Sequence, residues 1–171
     1  MVRLLIPLTF LISWVLIFTG WENFLNSKNE IEVTKEMNEV ISEYIVDLHE
    51  DSFHPTDKQF QVHKVYGASE EDGIINVYIY SQYQGFNLKT GKEVQSEQSL
   101  PAVVELNMDG LTYTVTAYKE VKDGSEYLTS IEEMFPRGYV RRVIKDSSGS
   151  KLSLEKEMED QLVQWLQTAK K

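Results

Sequence analysis

The sequence predicts an α+β chain: an apolar N-terminal helix, one long amphipathic helix, a four-stranded antiparallel sheet and C-terminal helices. Three observations carry this. Apolar residues recur at helical spacing from Val33 to Leu48. Four runs rich in β-branched and aromatic residues follow one another between Phe60 and Lys119. A second helical stripe then runs from Leu154 to Ala169. At 171 residues, with 42% hydrophobic and 26% charged side chains, the chain has the size of one ordinary domain and globular composition.

The first element is the stretch Leu4 to Gly20 (LLIPLTFLISWVLIFTG), apolar apart from Thr9, Ser13 and Thr19. About 17 residues at 1.5 Å each span roughly 26 Å, near the lower limit for crossing a bilayer core. Arg3 is the only charged side chain before Glu22, and with the amino terminus it favours a cytoplasmic start and a domain outside. A cleaved secretory signal is the rival reading. A cut after Gly20 would place Phe18 where cleavage requires a small residue, so residues 1–21 are expected to stay as a signal anchor. Without cysteine, lipoprotein processing is impossible. Residues 22–31 read as a tether and residues 32–171 as an extracytoplasmic domain.

Within that domain the helical stripe is Val33, Met37, Val40, Ile41, Tyr44, Ile45 and Leu48, ending before His54-Pro55. Phe60 to Tyr66 is a strand, closed by Gly67 and an acidic turn ending at Gly73. Ile74 to Tyr83 is the strongest strand, with Ile75, Val77 and Ile79 on one face and Tyr78 and Tyr80 on the other. Gly85 to Ser99 reads as a polar connection. Ala102 to Met108 and Leu111 to Lys119 flank Asp109-Gly110, a hairpin signal. Glu126 to Phe135 is a short helix stopped by Pro136, Tyr139 to Lys145 another helical turn or two, and the last helix begins near Ser153. A long helix ahead of an antiparallel meander has the architecture of a cystatin-like or NTF2-like roll, which by itself says little about activity.

Charge excludes one class of partner. Acids outnumber bases 27 to 17, for a net charge of −10; removing Arg3 leaves 16 bases against 27 acids, so the remainder carries −11. Such a chain repels phosphate backbones, and nucleic acid is not expected as a partner.

Two catalytic patterns are approached and missed. His49-Glu50 followed by His54 resembles a zincin, but its histidines are five apart, about 140° round a helix, rather than four. With His63 these are the only three histidines, read as solvated loop and strand residues, and no metal site is expected. Gly85 to Lys92 (GFNLKTGK) has five residues between its glycines and Glu93 where a phosphate loop needs a hydroxyl. There is no nucleophile elbow and no cysteine, and nothing selects a carboxylate pair for glycoside hydrolysis. No catalytic residue, cofactor or metal is therefore assigned.

Two features have binding content. Arg137, Arg141, Arg142 and Lys145 would span an arc of roughly 140° on a helix, a basic face suited to an anionic lipid, wall polymer or acidic peptide. The competing reading is that they neutralise the domain's own carboxylates. Tyr78, Tyr80, Tyr83 and Phe86 run from the strongest strand into its loop and would line a pocket or peptide groove. Here the competing reading is a Tyr face covered by a C-terminal helix. Against it, the amides of Gln82, Gln84 and Asn87 are costly to bury unpaired and point to an open edge.

The segments Tyr83-Gln84-Gly85-Phe86-Asn87, Ser99-Leu100-Pro101, Lys122-Asp123-Gly124-Ser125 and Met134-Phe135-Pro136 resemble small extracytoplasmic domains of Gram-positive bacteria. Such domains stand alone behind a single anchor or follow BlaR-type membrane sensor peptidases. The resemblance covers roughly residues 58 to 140 and implies a location and a sensing or regulatory neighbourhood. It carries no chemistry, because the H-E-x-x-H of those peptidases is absent. The expectation is a membrane-anchored, non-enzymatic binding, sensing or regulatory domain, held by residues 4–20, with an envelope protein or peptide as partner. The alternatives are a cystatin-like peptidase inhibitor and a small hydrolase or ligand-binding domain of NTF2-like build.

Overall fold

The computed structural model describes residues 30–50, 52–149 and 152–169. From Ile31 onward the chain forms one compact unit. The expected anchor and all but the last two residues of the expected tether lie outside the described residues. Among the described residues no helix is long and apolar enough to cross a membrane.

Among the described residues the fold is α+β, with five strands rather than the four expected. They are β1 (Glu30–Ile31), β2 (Lys58–Glu71), β3 (Ile74–Phe86), β4 (Val94–Asp109) and β5 (Thr112–Glu120), in sheet order β1-β2-β3-β4-β5. Four helices accompany them: α1 (Lys35–Glu50), α2 (Tyr127–Met134), α3 (Arg137–Ser148) and α4 (Leu152–Ala169). The extra strand comes from the end of the expected tether.

Thr34 starts α1 by accepting the Met37 N–H on its hydroxyl at 3.2 Å. The buried stripe is Met37, Ile41, Ile45 and His49, each four residues from the last. Leu48, expected on that stripe, is exposed instead. The stripe lies on one sheet face against Ala68, Ile75, Val77, Ile79, Val104 and Leu106. The opposite face is covered by the C-terminal helices, whose Ile131, Phe135, Val143, Met158 and Leu162 pack on Phe60, Tyr66, Tyr80 and Phe86.

The strands run longer than expected because the turns are tighter. Asp72 and Gly73, at φ of 52° and 81°, form a two-residue hairpin turn between Glu71 and Ile74. Of the expected acidic turn, Ser69, Glu70 and Glu71 therefore belong to β2, and Asp72-Gly73 is the turn. At the second hairpin Gly110 (φ 64°) and Leu111 connect the paired residues Asp109 and Thr112. Of the expected polar connection from Gly85 to Ser99, the first two residues belong to β3 and residues 94–99 to β4, which leaves residues 87–93 as loop. In β2 a bulge leaves Tyr66 without a register partner between Val65 and Gly67. Gly67 there is required by space: a Cβ would lie 2.2 Å from the Tyr139 hydroxyl of α3.

Candidate functional site

The tyrosines and Phe86 do not form one surface. Tyr78 is half-buried with its ring 5.7 Å from Phe135 and 5.5 Å from Tyr139. Tyr80 and Phe86 are core residues of the same helix-covered face, and Tyr80 donates to the Ser99 carbonyl at 3.2 Å. Tyr83 turns to the other face, stacked on Phe53 at 5.4 Å and 5.1 Å from the His49 ring. Helices thus cover Tyr78 and Tyr80. The open edge inferred from the amides falls on a different strand, because β3 is central: Gln82 is 8% exposed.

The four cations lie on α3 and are all exposed. Arg142 is engaged: it donates to the Tyr66 carbonyl at 3.3 Å, the unpartnered bulge residue, and sits 5.0 Å from the Tyr139 ring. Its neighbour Asp146 binds Lys64 at 2.6 Å and accepts from the Tyr66 hydroxyl at 3.1 Å. These contacts fasten α3 to the bulge. For Arg137 and Arg141 the side chains reach no acidic partner among the described residues.

A set of polar groups that sequence reasoning missed lies under α1. The Gln61 amide, 5% exposed, donates to Ser81 Oγ at 3.1 Å. Further along the same face Tyr118 donates to Glu120 Oε1 at 3.0 Å. Gln98 donates to Glu120 Oε2 at 2.6 Å, and His49 Nε2 lies 3.6 Å from Oε1. Burial raises the Glu120 carboxyl, but the nearby His49 ring and the hydrogen bonds from Tyr118 and Gln98 outweigh it and hold the group below its ordinary value. The Tyr118 hydroxyl is pushed up by burial and by the Glu120 charge.

At the other end, His63 Nε2 contacts Asn38 Oδ1 at 2.8 Å and its Nδ1 contacts Gln61 Oε1 at 3.2 Å. The two amide nitrogens are committed elsewhere, to the Thr34 carbonyl and to Val62 and Ser81. Burial lowers His63 to about 4, so the ring is neutral at neutral pH and donates to one amide oxygen only. Of the three histidines expected to be solvated, His54 is exposed, whereas His49 is 6% exposed and His63 is half-buried. A signal was present, since His49 stands four residues beyond Ile45 and His63 alternates with Val62.

Gln61 and His63 also reach the floor of a groove between α1, β2 and α4. It has two adjoining parts of about 730 and 480 Å³, which share Ser42, Glu43, Gln61 and Gln161. One wall carries Glu39, Glu43 and Asp47 of α1, and the other Glu157 of α4. Lys35 is paired with Glu39 at 2.9 Å, and Lys58 is the other ammonium along the groove. The floor is the outer side of β2, whose 14 residues have as outer neighbour only the two residues of β1. Most of this edge has no strand beside it among the described residues. Such an edge offers main-chain donors and acceptors to an extended chain.

Among the described residues no group of three or more His, Asp or Glu side chains is placed to hold a metal ion. No family model, curated protein or solved structure matches the chain.

Proposed function

We propose that the chain is a membrane-anchored extracytoplasmic binding domain, without catalytic activity, that takes an extended basic segment of an envelope partner along β2. The observation that carries the reading is the open outer edge of β2 on the floor of a carboxylate-walled groove. Main-chain bonds to the edge would supply affinity. Lysine or arginine side chains of the segment would meet Glu43, Asp47 and Glu157, which supplies charge selectivity. The apolar stretch from Leu4 to Gly20 and the resemblance to single-anchor domains support the location. A long helix laid on an antiparallel meander supports the comparison with cystatin-like or NTF2-like rolls.

The test uses the full chain in zwitterionic lipid nanodiscs. An amidated peptide of seven alternating lysines and valines is expected to bind, and its glutamate–valine counterpart is not. Glu43→Lys combined with Asp47→Lys should weaken the basic peptide at least tenfold, with raised salt acting in the same direction. Equal binding of both peptides, or an unchanged affinity in the double variant, overturns the reading. Retention of the chain in membranes after alkaline carbonate washing tests the anchor separately.

A further inference from the structure

A second surface lies on the side of the sheet away from α1, along the outside of α3. Arg137, Arg141 and Lys145 stand four residues apart, so they form one row about 12 Å long within an arc of about 80°. The row lies opposite Val143, the buried residue by which α3 packs on the core, and all three side chains are exposed. Gly138 adds no side chain to that side, and a Cβ there would meet nothing. Arg142 stands outside the row, turned to the Tyr66 carbonyl. Asp146, the one acid of α3, is taken by Lys64 and the Tyr66 hydroxyl.

Like charges four residues apart repel along a helix, so the row carries a cost that only an anion relieves. The chain has 27 acids to 17 bases, yet among the described residues none of the three cations is within ion-pair distance of a carboxylate. Lys64, Lys92 and Lys119 each hold one. Taking residues 4–20 as the anchor proposed above, we infer that the row sits on anionic headgroups of the bilayer that holds the chain. Gly20 stands eleven residues before Ile31, where the compact unit begins, a reach of about 40 Å at full extension. Headgroups are then a surface the unit never leaves. A chain of net charge −10 is repelled by that surface as a whole, and attraction selects the side bearing the row. The outside of a helix is convex, which suits a flat array of headgroups along all three side chains and gives a peptide no walls to lie between. Each cation close to such a surface favours docking about fivefold, and three together about a hundredfold. Docking through α3 turns the α1 face away from the lipid.

The chain has no cysteine, so an introduced one carries a single label. A fluorophore is placed at Ser148→Cys, on the same side of α3 as the row, or at Leu48→Cys on α1, both exposed positions. The full chain is then set in nanodiscs doped with nitroxide-headgroup lipid. In phosphatidylglycerol the α3 label should be quenched and the α1 label should not; in phosphatidylcholine neither should be. Arg137→Gln with Arg141→Gln and Lys145→Gln should lower the ratio of docked to free domain about a hundredfold and remove the quenching, as should raised salt. Arg137→Lys with Arg141→Lys should keep it, because a bilayer reads charge rather than the planar fork of a guanidinium. No quenching in phosphatidylglycerol, unchanged quenching in the triple variant, or equal quenching of both labels overturns the proposal. Loss in the charge-preserving variant assigns the row to a shaped acidic partner and overturns it too. A chain released by carbonate washing removes the anchor and the docking together, whereas a retained chain with an unquenched α3 label removes the docking alone.

Discussion

The two faces of the sheet are built on different terms. Under the C-terminal helices the contacts are apolar and aromatic, with Phe135 set between Tyr66 and Tyr78 at 6.3 and 5.7 Å. The tyrosine hydroxyls there reach outward, to Asp146 from Tyr66 and to Ser147 from Tyr127. Under α1 the aliphatic contacts of Ile41 and Ile45 share the face with two hydrogen-bonded groups, His63–Gln61–Ser81 and Tyr118–Glu120–Gln98. Apolar packing is indifferent to proton concentration, whereas buried titratable groups are not. The face under α1 holds the buried titrating groups and opens onto the groove, whereas under the C-terminal helices titration is confined to the rim, at Asp146.

The largest expected effect tests the apolar face. Phe135→Ala removes a ring that two tyrosines contact and leaves a cavity beneath α2, at a cost of about 4 kcal/mol in urea unfolding. The loss should be the same at pH 7 and pH 5. A cost that changes with pH would mean that this face is coupled to the titrating groups under α1.

Next comes the pH dependence of the α1 face. His63 is depressed in the folded state, so between pH 6.5 and about 4 the unfolded chain binds the extra proton. Stability is fully present above pH 6.5 and falls as pH drops toward 4, by about 3 kcal/mol at most. Lys35, Glu39, Glu43 and Glu157 share the groove with the ring, and the three carboxylates moderate the loss by favouring the imidazolium. Melting temperatures taken across this range should slope for the unaltered chain and flatten in His63→Leu. An equal slope in both would remove His63 from the account.

Glu120→Gln should act at lower pH and more weakly, costing about 2 kcal/mol at pH 7 through the bonds from Tyr118 and Gln98. Because the folded carboxyl is held below its ordinary value of 4.5, its contribution is present above that value and lost as pH falls through the carboxylate range. Denaturant titrations should find the variant's deficit shrinking below pH 4.5, whereas a constant deficit would assign the effect to packing alone.

Much of this division was legible from residue spacing. The 3.6 period placed α1, and the alternation of Ile75, Val77 and Ile79 with Tyr78 and Tyr80 separated the two faces of β3. The candidate site was less legible. Gln82 was read as an edge residue because burying an amide is costly, yet only the pairing of β3 with both β2 and β4 decides where an edge lies. Gln61, Ser81, Tyr118 and Glu120 come from three strands, and no local pattern brings them to one face. The bulge at Tyr66 was invisible for a similar reason: it follows from the docking of α3, with Tyr139 over Gly67 and Arg142 on the Tyr66 carbonyl.

That docking yields the smallest effect and the finest discrimination. Arg141 and Arg142 are neighbours in sequence, equal in charge and both exposed, so composition and net charge treat them alike. Only Arg142 reaches the bulge, satisfying a carbonyl that lacks a register partner and covering the Tyr139 ring. Arg142→Ala should cost about 1 kcal/mol, the worth of one charge-assisted bond to a partly exposed acceptor. Arg141→Ala should stay within about 0.5 kcal/mol of the unaltered chain. If the two variants unfold at the same urea concentration, α3 is held by Val143 and the Lys64–Asp146 pair instead, and the whole cationic face is free to meet an anion. If they differ as expected, an anion contact on α3 falls to Arg137, Arg141 and Lys145, and Arg142 belongs to the fold.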